Sequence, residues 1–181
     1  GRWQPGDRVS ITAGVRTERI TREALAANPS DFSARPAFDD DTIVSVNPKV
    51  TAAWTVVPPS GPRGASTRLR AAAGTGIRPP DAFEIAFTDN PGLAPERSRS
   101  LEVGVVQTFA GGAVQADATL FHNGYDDLII SVGRLSGSSR YRTDNIANAR
   151  AQGAELALAW RPAAAFAARG HYTWLDTEVL E

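Results

Sequence analysis

The sequence predicts an all-β fold: an antiparallel up-and-down meander of about seven strands that forms part of a large transmembrane β-barrel. Two observations lead to this prediction. Apolar and polar residues alternate with a period of two over most of the chain. Long and short connections between these segments also alternate strictly. Tight turns at one end and long loops at the other are typical of outer-membrane barrels, whereas a soluble sandwich gives no reason for them.

Each predicted strand has one apolar face and one polar face. In the segment that begins at Val9, apolar residues occupy odd positions and polar or small residues occupy even positions. The pattern recurs along the chain, and the predicted strands are Val9–Arg16, Lys49–Val56, Arg68–Gly74, Ser100–Val105, Val114–Leu120, Gly153–Trp160 and Arg169–Trp174. A short helix is predicted at Arg22–Ala27, because Asn28 and Pro29 follow it as a stop signal.

The composition excludes several classes of protein. No apolar run approaches a membrane-spanning helix, although alternating strands would average to the observed mean hydropathy of -0.24. The net charge of -1 argues against nucleic acid as a partner. Without cysteine, thiolate chemistry is excluded, and the two histidines lie on different predicted strands. No catalytic constellation or phosphate loop is present, so we predict no enzymatic activity, no cofactor and no metal site.

Side chains at the strand ends and on the polar faces extend the barrel prediction. Aromatic residues gather near the strand ends, as in the interfacial girdles of barrels, although a β-sandwich core would explain them equally well. These residues are Trp54, Phe109, Trp160, Phe166, Tyr172 and Trp174. Charged residues on the polar faces suit a lumen, because a closed core would have to pair them. The predicted lumen-facing residues are Arg70, Glu102, Asp117, Glu155 and Arg169.

Six segments, in order, resemble the barrel of TonB-dependent outer-membrane receptors. They cover most of residues 45–178, and together they are far more specific than any one alone. The segments are Ala71–Pro80 (preceded by Asn47–Val50), Asn90–Ser98 (preceded by Phe83 and Glu84), Ser100–Gly104, Ala118–Ile129, Asn145–Leu156 and Tyr172–Glu178.

The resemblance implies a transporter of the bacterial outer membrane. Residues 1–181 would be an internal part of its barrel, without the plug domain and without the C-terminal strands. The implied function is import of ferric siderophores, with cobalamin or another large nutrient as the alternative. The implied partners are the nutrient chelate, the receptor's own plug domain, through it the TonB energy-coupling complex, and outer-membrane lipid. Glu102 and Glu155 are expected to form ion pairs with Arg70, Arg150 or the plug.

Candidate ligand contacts lie where the chain leaves the third strand and enters the sixth. Arg78 is the strongest candidate, because a guanidinium group suits carboxylate or catecholate oxygens. A purely structural loop remains an alternative for this region. The predicted ligand-binding residues are Arg78, Asp81, Glu84, Asn90, Asn145 and Asn148.

Two other classes remain open, namely a soluble β-sandwich binding module and a non-transporting barrel such as a porin or an adhesin. The apolar faces discriminate between sandwich and barrel. A second sheet would cover them in a sandwich, whereas in a barrel they would form an exposed band of about 25 Å. The residues that decide are Leu101, Val103, Val105, Leu156, Leu158 and Tyr172.

Overall fold

The protein is a single antiparallel sheet in which each strand pairs with the next one along the chain. The computed structural model describes residues 1–29, 34–132 and 142–180. A short helix, α1 (Ala82–Ala86), lies between the fourth and fifth strands. The strands are β1 (Arg2–Trp3), β2 (Val9–Arg22), β3 (Asp41–Val57), β4 (Ser66–Arg78), β5 (Glu96–Phe109), β6 (Val114–Val132), β7 (Arg142–Ala163) and β8 (Phe166–Leu180).

The predicted meander is confirmed. Each of the seven predicted strands lies within one of β2 to β8, and all neighbouring pairs are antiparallel. The strands are longer than predicted, and the additional β1 pairs with β2. Within the described part of the chain, no helix is long and apolar enough to cross a membrane.

The helix predicted at Arg22–Ala27 is wrong. Arg22 is the last residue of β2, and Leu25 and Asn28 form isolated antiparallel bridges with Phe38 and Arg35. Phe38 is only 2% exposed, and the Arg22 guanidinium lies 4.7 Å from the centre of its ring. Burial of this aromatic side chain favours an extended backbone over the weak local helix signal.

The predicted alternation of long and short connections holds from β2 to β6, where the connections are 18, 8, 17 and 4 residues long. The short connections, at one end of the sheet, are residues 58–65, 110–113 and 164–165. The long ones, at the other end, are residues 23–40, 79–95 and 133–141, and the last of these lies outside the described residues. The tight turn between β5 and β6 uses positive φ angles at Ala110, Gly111 and Gly112 (51°, 65° and 96°).

The apolar face of the sheet is uncovered. Leu101, Val103, Leu156, Leu158 and Tyr172 are between 46% and 63% exposed, although all of them lie in the middle of long strands. The described residues form one sheet only, so no second layer covers this face. The β-sandwich interpretation is therefore wrong for this part of the chain.

Large aromatic side chains mark the short-turn end of this face. Trp54, Phe109, Trp160 and Phe166 are about half exposed, and the rings of Trp160 and Phe166 meet edge to face at 5.6 Å. From Leu101 to Phe109 the strand rises about 26 Å at ~3.3 Å per residue. On strands that tilt by about 35–45°, this length spans roughly 19–21 Å along the membrane normal, close to the apolar band of about 25 Å expected of outer-membrane barrels.

The outer border of the apolar band crosses the strands obliquely. Trp174 on β8 is in register with Ala52 on β3 through the four strands between them. On β3, however, exposed apolar side chains continue as far as Val44, eight residues beyond Ala52. The border is therefore displaced along the strands from β3 to β8.

The inner border is displaced in the same direction. Tyr172 is in register with Trp54, yet the aromatic border on β8 lies at Phe166, six residues further toward the short turns. The mean displacement is about 23 Å over five strand spacings of ~4.8 Å, which corresponds to a tilt of about 45°. Such a tilt is at the upper end of the range for strands in closed barrels.

Candidate functional site at the long-loop end

The face opposite the apolar band carries the predicted lumen residues. The register places Arg70, Glu102, Asp117, Glu155 and Arg169 on this polar face, opposite the side on which Leu101 and Leu156 lie. Among the described residues, Glu102, Glu155 and Arg169 have no ion-pair partner. The polar face therefore offers charges of both signs to whatever lies against it.

Arg70 is held by a small network on the polar face. Its Nη2 donates to Oδ1 of Asp117 and to Oγ1 of Thr119, both at 2.5 Å. The side chain lies over Gly104, where a Cβ atom would come within 2.8 Å of its Nε. The expectation that Arg70 would pair with Glu102 or Glu155 is therefore wrong, because Asp117 is its partner.

The arginine cluster, defined as Arg78, Glu84 and Glu96, joins the end of β4 to the start of β5. Arg78 donates from Nη1 and Nη2 to the two carboxylate oxygens of Glu84, at 3.1 and 2.9 Å. It donates from Nε and Nη2 to Glu96, at 2.7 and 2.6 Å. Glu96 also accepts from the backbone N–H of Ile129 at 2.9 Å, so the cluster connects three strands.

Local sequence explains why Glu84 reaches Arg78. Pro79 and Pro80 end strand pairing, and Asp81 then caps α1 by accepting from the backbone N–H of Glu84 at 2.8 Å. The Glu84 side chain accepts in return from the Asp81 N–H at 2.8 Å, which completes a capping box. Helix formation thus fixes the Glu84 carboxylate beside the arginine.

The connection between β4 and β5, residues 79–95, is anchored to the start of β7, and we call it the anchored loop. Thr88 donates to the Thr143 carbonyl oxygen at 2.5 Å, and both residues are 0% exposed. The Asn90 amide donates to Asp144 at 2.7 Å. Residues more than 50 positions apart in the sequence therefore hold this loop.

Asn145 completes the anchor. Its side chain accepts from the Ala94 N–H at 2.8 Å and donates to the carbonyl oxygens of Ala94 and Asp127 at 3.0 and 2.7 Å. Asp127 has a φ of 59° and lies where the register shifts between β6 and β7. The amide therefore satisfies irregular backbone both in the anchored loop and at a β-bulge.

The structure divides the six predicted ligand contacts into three groups. Arg78, Asp81 and Glu84 come together, and Asn90 and Asn145 bind the anchored loop to β7. Asn148 instead lies on the same side of β7 as Arg150 and Leu156, and that side is the apolar face. The sequence prediction missed Thr88, Thr143 and Asp144 as contact residues. No sequence pattern announces these long-range contacts. The only local signal in this region is the spacing of Asp81 and Glu84, which is typical of a capping box.

Arg78 and Glu96 shift each other's pKa. Glu96, about 16 Å along β5 beyond Leu101, lies outside the apolar band. Hydrogen bonds from Arg78 hold the pKa of the Glu96 carboxyl below its usual value, against the opposing effect of burial. Hydrogen bonds to Glu96 and then to Glu84 raise the pKa of Arg78 above its ordinary range. Arg78 and Glu96 are therefore both charged at neutral pH.

The depressed pKa of Glu96 predicts an acid-sensitive anchored loop. The cluster stabilises the loop above the unfolded carboxyl pKa of about 4.3, and this contribution is lost as pH falls through the lower folded value. We expect a nitroxide on an Ala86→Cys variant, in a receptor labelled only there, to gain a mobile component in its electron paramagnetic resonance spectrum below about pH 4. In a Glu96→Gln background the change should be much smaller, and an unchanged acid transition there would contradict the prediction.

These features define the class of the protein: a wall segment of a transmembrane β-barrel, with an apolar band outside, charges inside and long loops at one end. Within the described residues, no group of three or more His, Asp or Glu side chains could hold a metal ion. The family model described as TonB dependent receptor-like, beta-barrel matches residues 1–180. The chain therefore belongs to the TonB-dependent receptor family and lies in the bacterial outer membrane. This family membership excludes the interpretation as a porin or an adhesin.

Solved structures support the fold. The FrpB iron transporter from Neisseria meningitidis is 16% identical with a TM-score of 0.69, and the match covers 98% of this chain and 24% of that one. The copper transporter OprC is 21% identical (TM-score 0.64, 97% and 28% covered). The alcaligin outer membrane receptor FauA from Bordetella pertussis is 15% identical (TM-score 0.62, 98% and 29% covered). The chain thus spans less than a third of the length of each of these structures.

Proposed function

We propose that this chain is part of the barrel wall of an active transporter that imports ferric siderophores. The observation that carries the proposal is the combination of family membership with a charged polar face that continues into an ordered outer loop. Two of the similar structures are described as an iron transporter and an alcaligin receptor, which supports an iron chelate as the substrate class.

The polar face would line the lumen and contact a plug domain outside this chain. Glu102, Glu155 and Arg169 have no ion-pair partner among the described residues, so they remain available to a plug. Asp117 and Thr119 would keep Arg70 extended along the wall. Through the plug, the receptor would couple to the TonB energy-coupling complex, as the family membership suggests.

Arg78 is the residue we propose for contact with an anionic chelate. Its side chain remains 45% exposed although two carboxylates hold it, so one side of the guanidinium is open to a ligand. Asp81, Glu84, Asn90 and Asn145 would act through the anchored loop, which fixes the position of Arg78. Asn148 receives no role in this proposal, because it lies with the apolar face.

Other cargoes of the same family are the alternative. Cobalamin is one such cargo. Two of the similar structures are described as a copper transporter and as the RagAB peptide transporter. RagAB is 13% identical with a TM-score of 0.65, and the match covers 95% of this chain and 20% of that one. All of these cargoes suit a barrel with a polar inner face. A transport experiment is therefore needed to identify the substrate.

Growth of a strain that lacks the full-length receptor tests the proposal. On a panel of single ferric siderophores, haem, cobalamin and copper, we expect growth to fail on at least one ferric siderophore and to recover with the wild-type gene. Complementation with Arg78→Ala should raise the half-saturating chelate concentration about tenfold, as expected for loss of one charge-assisted contact. Arg16→Ala, which removes another exposed arginine of the polar face, is the matched control. Normal growth on every ferric chelate, with failure on cobalamin or copper, would overturn the siderophore assignment.

A further inference from the structure

Two arginines on the apolar face flank an open glycine at the outer end of the sheet. Gly124 on β6 is the register partner of Arg99 on β5 and of Arg150 on β7. The Cα atoms of the two arginines are therefore two strand spacings apart, or about 10 Å. A Cβ atom at Gly124 would meet nothing within 4 Å. The missing side chain at Gly124 thus leaves a gap on the apolar face, with an arginine on each side of it.

Each arginine keeps unused donors. Arg99 donates from Nη2 to Asp126 at 2.8 Å and is 76% exposed, while Arg150 is paired through Nη2 with Glu178 at 2.5 Å. The Nε of Arg150 is buried and has no hydrogen-bond partner. Because a guanidinium group has five N–H donors, one carboxylate contact leaves the others free for a second anion.

The gap lies at the outer border of the apolar band. That border runs from Val44 on β3 to Trp174 on β8, and a straight line between them crosses β6 within about one residue of Gly124. Toward the membrane, the next row on this face holds Leu101, His122 and Gln152, and Leu120 lies one row further. Leu101 and Leu120 are 54% and 60% exposed. An amphiphile seated here would have its anionic group between the arginines and its chains against leucines.

We propose that Arg99, Gly124 and Arg150 form a seat for the phosphate group of an outer-leaflet lipid. Two guanidinium groups suit a phosphate, whose oxygens accept several hydrogen bonds in a fork geometry. The open glycine position admits the phosphate between them, and the adjacent apolar band accommodates the acyl chains. Asp126 and Glu178 hold the two arginines in place beside the gap. This site is independent of the transported substrate, because it lies on the opposite face of the sheet.

Native mass spectrometry of the full-length receptor in an uncharged detergent, titrated with bis-phosphorylated lipid A, tests the seat. We expect the Arg99→Gln/Arg150→Gln variant to bind about 25-fold more weakly, because each arginine near an anionic headgroup contributes about fivefold. Gly124→Leu should also weaken binding, since it fills the gap without changing any charge. Dephosphorylated lipid A should bind the wild-type receptor no better than it binds the double variant.

Arg19→Gln is the matched control, because Arg19 is an exposed arginine on the same face of β2, away from the gap. It should bind lipid A like the wild type. Equal binding by the wild type and the double variant would refute the seat, as would a loss in Arg19→Gln as large as that in the double variant. Displacement of lipid A by an equal concentration of inorganic phosphate would identify a simple anion site and overturn the lipid assignment.

Discussion

Replacing Gly153 by valine is expected to strain the pairing of β7 with β8. A Cβ atom at this position would lie 2.2 Å from the carbonyl oxygen of Trp174 and 2.7 Å from Cζ of Phe121. The first contact is with backbone, so it can be relieved only by moving β8 away from β7. We expect the variant to lose about 3 kcal/mol of stability or more, the upper range for overpacking.

Urea titration of the full-length receptor in detergent measures this loss, with the folded fraction read from the gel mobility of unheated samples. Gly170→Val is the matched control, because a Cβ atom there meets nothing within 4 Å and the residue lies on the neighbouring strand. Its midpoint should stay close to that of the wild type. Equal midpoints for Gly153→Val and Gly170→Val would show that the close contact at Gly153 relaxes at little cost.

Replacing Arg78 by alanine is expected to release the anchored loop. Without the guanidinium, the carboxylates of Glu84 and Glu96 would face each other with no cation between them. Hydrogen bonds to charged groups contribute about 1.5–3 kcal/mol each, and half exposure of Arg78 reduces the net effect. We therefore expect the loop to open about 30-fold more often, which corresponds to ~2 kcal/mol.

Native-state hydrogen exchange at the backbone amides of Ile129 and Ala94 measures the opening, because both donate to side chains that the cluster or the anchor positions. Arg78→Lys should restore part of the protection, since lysine keeps the charge but loses the fork. Arg16→Ala removes an exposed arginine with a single carboxylate partner and should leave both amides unchanged. Unchanged exchange in Arg78→Ala would mean that the hydrogen bonds of Thr88 and Asn145 hold the loop by themselves.

The strands were predictable from the sequence because their signal is local. Alternation of side chains determines the two faces, and clusters such as Pro58–Gly64 determine where the chain turns back. The same local reasoning failed at Arg22–Ala27, because the buried Phe38 that keeps this segment extended lies beyond the segment itself. Strand lengths were underestimated for a related reason, since pairing with a neighbour extends β6 and β7 well past the periodic core.

The candidate site was predictable only in part. Arg78, Asp81 and Glu84 lie close together in the sequence, so their clustering could be anticipated. The contacts of Thr88 and Asn90 with Thr143 and Asp144 join residues 54 or 55 positions apart. Likewise, Arg99, Gly124 and Arg150 become neighbours only once the register of three strands is known.

The oblique border of the apolar band has a consequence for the shape of the barrel's outer end. Beyond Val44, β3 continues for three residues to Asp41, whereas beyond Trp174 β8 continues for at least six residues, to Leu180. At a tilt of about 45°, these extensions rise roughly 7 Å and 14 Å above the lipid. The strands themselves therefore project less above the lipid at β3 than at β8.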